Sequence, residues 1–368
     1  KRLMKNSELY KLACQCLVLD DYPEKAQTIK EKIISGDLDI YRFIYLCSNQ
    51  LVLPLVYRQL RETGVTELFP EDYDEFLSDI YDKNTQRNTK ILEQIEEISN
   101  ILQTNNIEPV YLKGTANLLD NLYRNPGDRF IGDIDFLVQK EDYLRTADLI
   151  MQLGYKNDVK LYFDPQDQKH YPRLYRDDVP ADIEIHHIPV NKEYAKKFNS
   201  EIIFPNKLKV LNKVNCYVSS DVHKLVHTFI HSQLSNRGYL YKYIPLRDLY
   251  DFYLLSKKVP KTDFFQEVEE KQKAGIFYAG KSYLLNVPVE LNEFNSVQIS
   301  NYFKLLFWLL DHPLARKTYV NFVSLNIFIF KKIPELFLSK TMFKSFVYRI
   351  SDREYWQNHF MRGIKKYF

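Results

Sequence analysis

Residues 107–138 read IEPVYLKGTANLLDNLYRNPGDRFIGDIDFLV. An apolar run at 107–112 stops at Lys113-Gly114-Thr115. A helical pattern follows at 115–123, and Asn125, Pro126, Gly127 and Asp128 then mark a turn. A second apolar run, 130–139, carries Asp133 and Asp135 at alternate positions. Alternation on a strand puts both carboxylates on one face. Two carboxylates on one face of an apolar strand repel each other unless a cation sits between them. The pattern predicts a divalent-metal site.

Working outward, 141–153 has helical spacing and ends at Gly154. Short strands are expected at 159–163 and 173–175. Residues 181–190, ADIEIHHIPV, alternate Ile183 and Ile185 with Asp182, Glu184 and His186, a strand with one polar face. Residues 208–218 supply one further strand. Upstream, 7–63 are helical in period and 71–105 form one long helix whose stripe is Ile91, Leu92, Ile95, Ile98 and Leu102. That region carries no chemical motif and is expected to pack on the core. Downstream, helices are expected from 221, at 243–255, 262–286, 297–312 and 313–330. The fold class expected is α+β: a small mixed sheet flanked by helical lobes. The divisions expected are 1–105, 106–219, 220–330 and a basic, aromatic tail at 331–368.

Composition narrows the function. Hydrophobic residues make up 45% and charged residues 27%, a globular balance rather than a disordered one. The net charge of +3 does not mark the whole molecule as a nucleic-acid binder. The tail from Lys331 holds nine basic against three acidic residues beside its aromatics. That leaves peripheral membrane contact or nucleic-acid contact open for the tail. Ten glycines in 368 residues, none in a Rossmann or P-loop pattern, exclude those nucleotide folds. Cys14, Cys16, Cys47 and Cys216 have no metal or disulfide spacing, so buried, reduced thiols in a cytoplasmic protein are expected. No signal pattern or transmembrane run is read, and Lys1 implies a natural N-terminus that extends further.

Asp133 and Asp135 on one strand, with Asp182 and Glu184 on another, suit Mg²⁺ (or Mn²⁺), which takes oxygen ligands together with substrate phosphates. Lys113-Gly114-Thr115 opens a helix, where backbone N–H groups favour a phosphate; Gly114 permits close approach, and Lys113 or Arg129 adds charge. His223, His227 and His231, four apart, read as a polar stripe facing the cleft rather than as a zinc site, since no HExxH pattern is present. Asp248 is read as orienting a basic residue.

LKGTANLL (112–119), RFIGDIDFLV (129–138) and IEIHHI (183–188) resemble a bacterial nucleotidyltransferase family of the polymerase-β-like superfamily. SNQLVLPLVYRQL (48–60), LVHTFIHSQLSN (225–236) and LRDLYDFYLL (246–255) resemble its flanking helices. The resemblance implies that Gly114 and Thr115 form the nucleotide-phosphate turn and that Asp133 and Asp135 bind metal. It makes Glu184 the third carboxylate and activator of an acceptor hydroxyl, and brings in His186 through a Glu-x-His pattern. Asp182 faces the same way and stays an alternative. Two departures stand out: Thr115 replaces the usual Ser or Gly, and residues 121–128 lengthen the spacing to Asp133. The implied activity is magnesium-dependent transfer of a nucleoside monophosphate from an NTP to a hydroxyl on a small molecule, sugar or protein. A non-catalytic nucleotide-binding module is the alternative.

Overall fold

The computed structural model describes residues 3–157, 165–210 and 216–338, with single helical positions at 343, 347 and 351. The strand expected at 159–163 and most of the tail lie outside the described residues. The chain divides into two compact units, Lys1–Asn157 with Lys169–Pro313, and Asp158–Gln168 with Leu314–Phe368.

In the first unit the chain opens with four short helices: α1 (Asn6–Cys16), α2 (Lys25–Ile34), α3 (Ile40–Asn49) and α4 (Leu53–Glu62). The 34-residue helix α5 (Glu71–Thr104) follows, with Glu71, Asp72 and Asp74 on the positive end of its dipole. Ile91, Ile95, Ile98 and Leu102 are buried along it, the stripe expected from the sequence.

The core then runs β1 (Val110–Tyr111), α6 (Lys113–Leu119), β2 (Asp133–Leu137), α7 (Tyr143–Gln152), β3 (Asp182–His186), α8 (Ser200–Ile203), β4 (Leu208–Lys209) and β5 (Tyr217–Val218). The strands form one mixed sheet in the order β3-β2-β1-β5-β4. β2 and β3 are parallel, with α7 as crossover, while β1 and β2 are antiparallel. Residues 208–218 make two strands rather than one; Leu208 pairs with Val218, so the chain reverses between them. The expected strand at 173–175 is reduced to single bridges, Leu174 to Ile183 and Lys156 to Tyr175.

β1 and β2 are shorter than their apolar runs, for identifiable reasons. Pro109 has no N–H to add to a ladder. Before β2, carbonyls are claimed by α5 side chains: Asn84 Nδ2 donates to Gly127 O at 2.7 Å, and Asn88 Nδ2 to Arg129 O at 2.7 Å. Arg87 donates to the Ile131 carbonyl and, at 2.8 Å, to that of Pro180. So α5, which carries no motif, fixes the entries of both carboxylate-bearing strands. Gly127 makes this fit possible, since a Cβ there would lie 2.1 Å from Thr85 Oγ1.

The remaining helices are α9 (Asp221–Phe229), extended by a π-helical turn at Ile230–Ser235, α10 (Gly238–Tyr241), α11 (Leu246–Leu255), α12 (Lys261–Glu267), α13 (Lys271–Tyr283) and α14 (Ser296–Asp311). The single helix expected at 262–286 is broken because Val268 is extended (φ −102°, ψ 133°). N-terminal and C-terminal helices share one buried core, in which Leu9, Leu12 and Leu17 belong with Phe252, Phe264 and Phe277. A second cluster joins the α5 stripe to Tyr111, Ile134, Phe136, Ile183 and Ile185 of the sheet. The architecture is therefore α+β with flanking helices. All four cysteines are buried and free.

In the second unit, α15 (Pro313–Ile327), a π-helical turn (Phe328–Lys332) and α16 (Ile333–Leu338) follow one another. Leu314, Phe322, Leu325 and Phe330 are exposed there. No described helix is long and apolar enough to cross a membrane.

Candidate active site

The parallel register of β2 and β3 builds the site. Asp133 lies opposite Asp182, and Asp135 opposite Glu184. The outer pair is half-buried, and Asp182 lies 3.7 Å from Arg173 Nη1. The inner pair is buried, and His186 joins it, with Nε2 at 2.8 Å from Asp135 Oδ1 and 3.6 Å from Glu184 Oε2. The structure thus groups Glu184, rather than Asp182, with Asp135.

Cations hold the cluster together. Lys113 pairs with Asp135 and lies 3.8 Å from Glu184. Arg173 Nη2 bridges Asp133 at 3.1 Å and Glu184 at 2.8 Å. Burial works against the Asp135 charge, but Lys113 and His186 outweigh it and hold that carboxyl well below its usual value. For Asp133 the balance is reversed. Burial, then the neighbouring Asp135 and Glu184 charges, push it up to about 6.

The first turn of α6 is strained and tightly packed. Lys113 has φ +50°, left-handed backbone that costs a non-glycine residue about 1–2 kcal/mol. A Cβ on Gly114 would lie 2.0 Å from Arg129 Nη1. Thr115 Oγ1 is buried against β2, donating to Asp133 O and accepting from Asp135 N, each at 3.2 Å. Arg129, also buried, pairs with Asp251 of α11, Nη2 to Oδ2 at 2.6 Å and Nε to Oδ1 at 2.9 Å. Neither Asp128 nor Asp133 is its partner. Asp128 instead accepts from Arg58 Nε at 2.7 Å, so residues 121–128 are anchored to the helical lobe.

These residues open onto a cavity of about 310 Å³ lined by Lys113, Gly114, Arg129, Asp133, Asp135 and Glu184. Its remaining wall draws on Lys169 and on α9 and α11, including His227, His231, Arg247, Asp248 and Asp251.

The description "uncharacterised nucleotidyltransferase" matches residues 36–279, about two thirds of the chain. The chain belongs to this nucleotidyltransferase family. The family region contains every residue of the cavity and ends before α14. No curated protein matches the chain.

In this family member the donor set fits a divalent ion. Ligand atoms of Asp135, Glu184 and His186 lie within 4.8 Å of one another. Lys113 already supplies a positive charge beside two of them; burial first, and then the like charges of Asp135 and Glu184, raise the Asp133 carboxyl, and a cation would relieve the repulsion among the three. His186 Nδ1 is buried without a hydrogen-bond partner among the described residues.

The histidine stripe divides. His227 and His231 line the cavity, whereas His223 does not and stacks edge-on against Phe198. Asp248 also reaches the cavity, 3.6 Å from Arg247. Sequence reasoning passed over Lys169, Arg173 and Arg247. The alternation of Lys169, Tyr171 and Arg173 beside a carboxylate strand was the only local signal for the first two.

Proposed function

We propose that the protein transfers a nucleoside monophosphate from an NTP to an acceptor hydroxyl, with magnesium or manganese held by Asp133, Asp135 and Glu184. The observation that carries this is the β2–β3 register, which sets Asp135 opposite Glu184 at the wall of a charged cavity. A divalent ion bound there would neutralise phosphate charge and polarise the α-phosphorus. Glu184 supplies the proton acceptor. Burial disfavours its charge, but neighbouring His186 and Lys113 hold its carboxyl down at about 2, so it is a permanent anion at neutral pH. The acceptor oxygen forms its bond to the α-phosphorus as the α–β bridging bond breaks. The hydroxyl proton passes to Glu184, and pyrophosphate leaves. Lys113 and Gly114 border the path of the phosphates, and Thr115 and Arg129 hold that turn in place through β2 and Asp251. Small molecules, sugars and proteins all offer the required hydroxyl.

One observation favours a non-catalytic nucleotide-binding module: Lys113 and Arg173 together already give all three carboxylates cationic partners. Manganese EPR with a non-hydrolysable NTP separates the readings. Metal-assisted transfer predicts bound manganese that is lost in Asp133→Asn and Asp135→Asn. A bound fraction unchanged in both variants sinks the metal assignment.

A further inference from the structure

The residues that the strand–turn–helix motif offers to a phosphate are largely engaged with the protein. The Thr115 hydroxyl serves β2, Arg129 serves Asp251, and Lys113 serves Asp135 and Glu184. Two other cations of the same cavity are not engaged in this way. Lys169 lines it partly buried, and its ammonium makes no hydrogen bond or ion pair among the described residues. Arg247, in the first turn of α11, has its nearest carboxylate, Asp248 Oδ1, at 3.6 Å. Its Nε is buried and has no hydrogen-bond acceptor among the described residues. Buried donors of this kind are normally satisfied, so an unmet one facing a cavity points to an absent acceptor. The two cations also act on a common neighbour. Burial first, then Lys113, Lys169 and Arg247, hold His231 down at about 3.

We propose that Lys169 and Arg247 form an anion subsite in this cavity and that its ligand is a phosphate group. Arg247 presents a planar fork of donors, and Lys169 a mobile point charge, a pairing suited to phosphate oxygens. Two cations call for more than one negative charge, which a phosphate carries and a single carboxylate does not. The transfer reading enters only in naming the source: the outer phosphates of the NTP, or a phosphate on the acceptor.

The test is calorimetric titration of the full chain with inorganic tripolyphosphate, without nucleotide or divalent metal. Each of Lys169→Met and Arg247→Gln should weaken binding about ten- to hundredfold, the loss of one charge-assisted contact. Arg247→Lys should retain more affinity than Arg247→Gln, and Lys83→Ala, at an exposed helix position, should match the wild type. Circular dichroism confirms folding; if one variant fails to fold, the other carries the result. Wild-type affinity in both folded variants overturns the proposal, as does a wild type that binds no tripolyphosphate. Displacement of a fluorescent NTP by tripolyphosphate assigns the subsite to the nucleotide, and simultaneous binding assigns it to a phosphorylated acceptor; either sustains it. Absence of any transfer product, with tripolyphosphate binding still lost in the variants, sinks the transfer reading and leaves the subsite standing.

Discussion

Replacing Gly114 by alanine tests why glycine sits at the turn. The added Cβ would lie 2.0 Å from Arg129 Nη1 and 2.6 Å from Cζ. Reaching ordinary van der Waals contact requires the guanidinium to recede by roughly 1.5 Å. Its bonds to Asp251, at 2.6 and 2.9 Å, do not survive that displacement. Asp251 would then be left buried with the Tyr123 hydroxyl as its remaining partner, at 2.7 Å. Breaking one side of a buried ion pair costs about 3–5 kcal/mol. If the arginine shifts and stays paired, overpacking alone costs about 1–3 kcal/mol. A glycine kept only for ligand approach predicts the opposite sign, because alanine in a helix is favoured by up to about 1 kcal/mol. Urea denaturation followed by far-UV circular dichroism measures the difference. In an Arg129→Met, Asp251→Asn background the Gly114→Ala penalty should fall below about 1 kcal/mol, since the clash and the pair are both gone. A Gly114→Ala protein as stable as the wild type, or more so, refutes this reasoning.

Three further outcomes follow from the same structure. Arg58→Ala strands the buried Asp128 carboxylate and should cost about 3–5 kcal/mol by the same denaturation assay. His227, buried, is held well below its usual pKa by burial, then by His231 and Lys113. The unfolded chain takes up that proton near pH ~6.5 and the folded chain does not, so stability present above that pH is lost as pH falls below it. Denaturation midpoints from pH 7 to 5 should therefore fall less steeply in His227→Gln than in the wild type, and equal slopes would contradict the assignment. The basic residues Arg316, Lys317, Lys331 and Lys332 beside exposed Phe322 and Phe330 predict co-sedimentation with anionic vesicles that weakens with salt and in Lys331→Glu/Lys332→Glu. Equal binding to neutral vesicles would exclude an electrostatic attachment.

The sequence carried the local half of this site. Period-2 alternation placed Asp133 with Asp135 and Asp182 with Glu184, and both strands formed. The parallel register, which pairs Asp135 with Glu184 and Asp133 with Asp182, depends on how α7 crosses over and has no local signature. The chain bends at Lys113-Gly114, where the sequence predicts it, but nearby Asp128 and Asp133, the acids that the sequence offers Arg129, are not what that arginine packs against. Arg129 finds Asp251, 122 residues away, and no periodicity announces that contact. α5 showed only an apolar stripe, yet Asn84, Arg87 and Asn88 on its other faces end the ladders of the apolar runs early. Lys169 and Arg247 come from a short bridge segment and a distant helix, so only the folded cavity brings them together.

The proposed function requires that the β2–β3 carboxylates drive nucleotidyl transfer. Pyrophosphate release measured with each of the four NTPs, magnesium and a panel of hydroxyl acceptors tests it most directly. Release should require the divalent ion and fall to background in Asp135→Asn and Glu184→Gln, with both variants folded. Release that persists undiminished in those variants would contradict it.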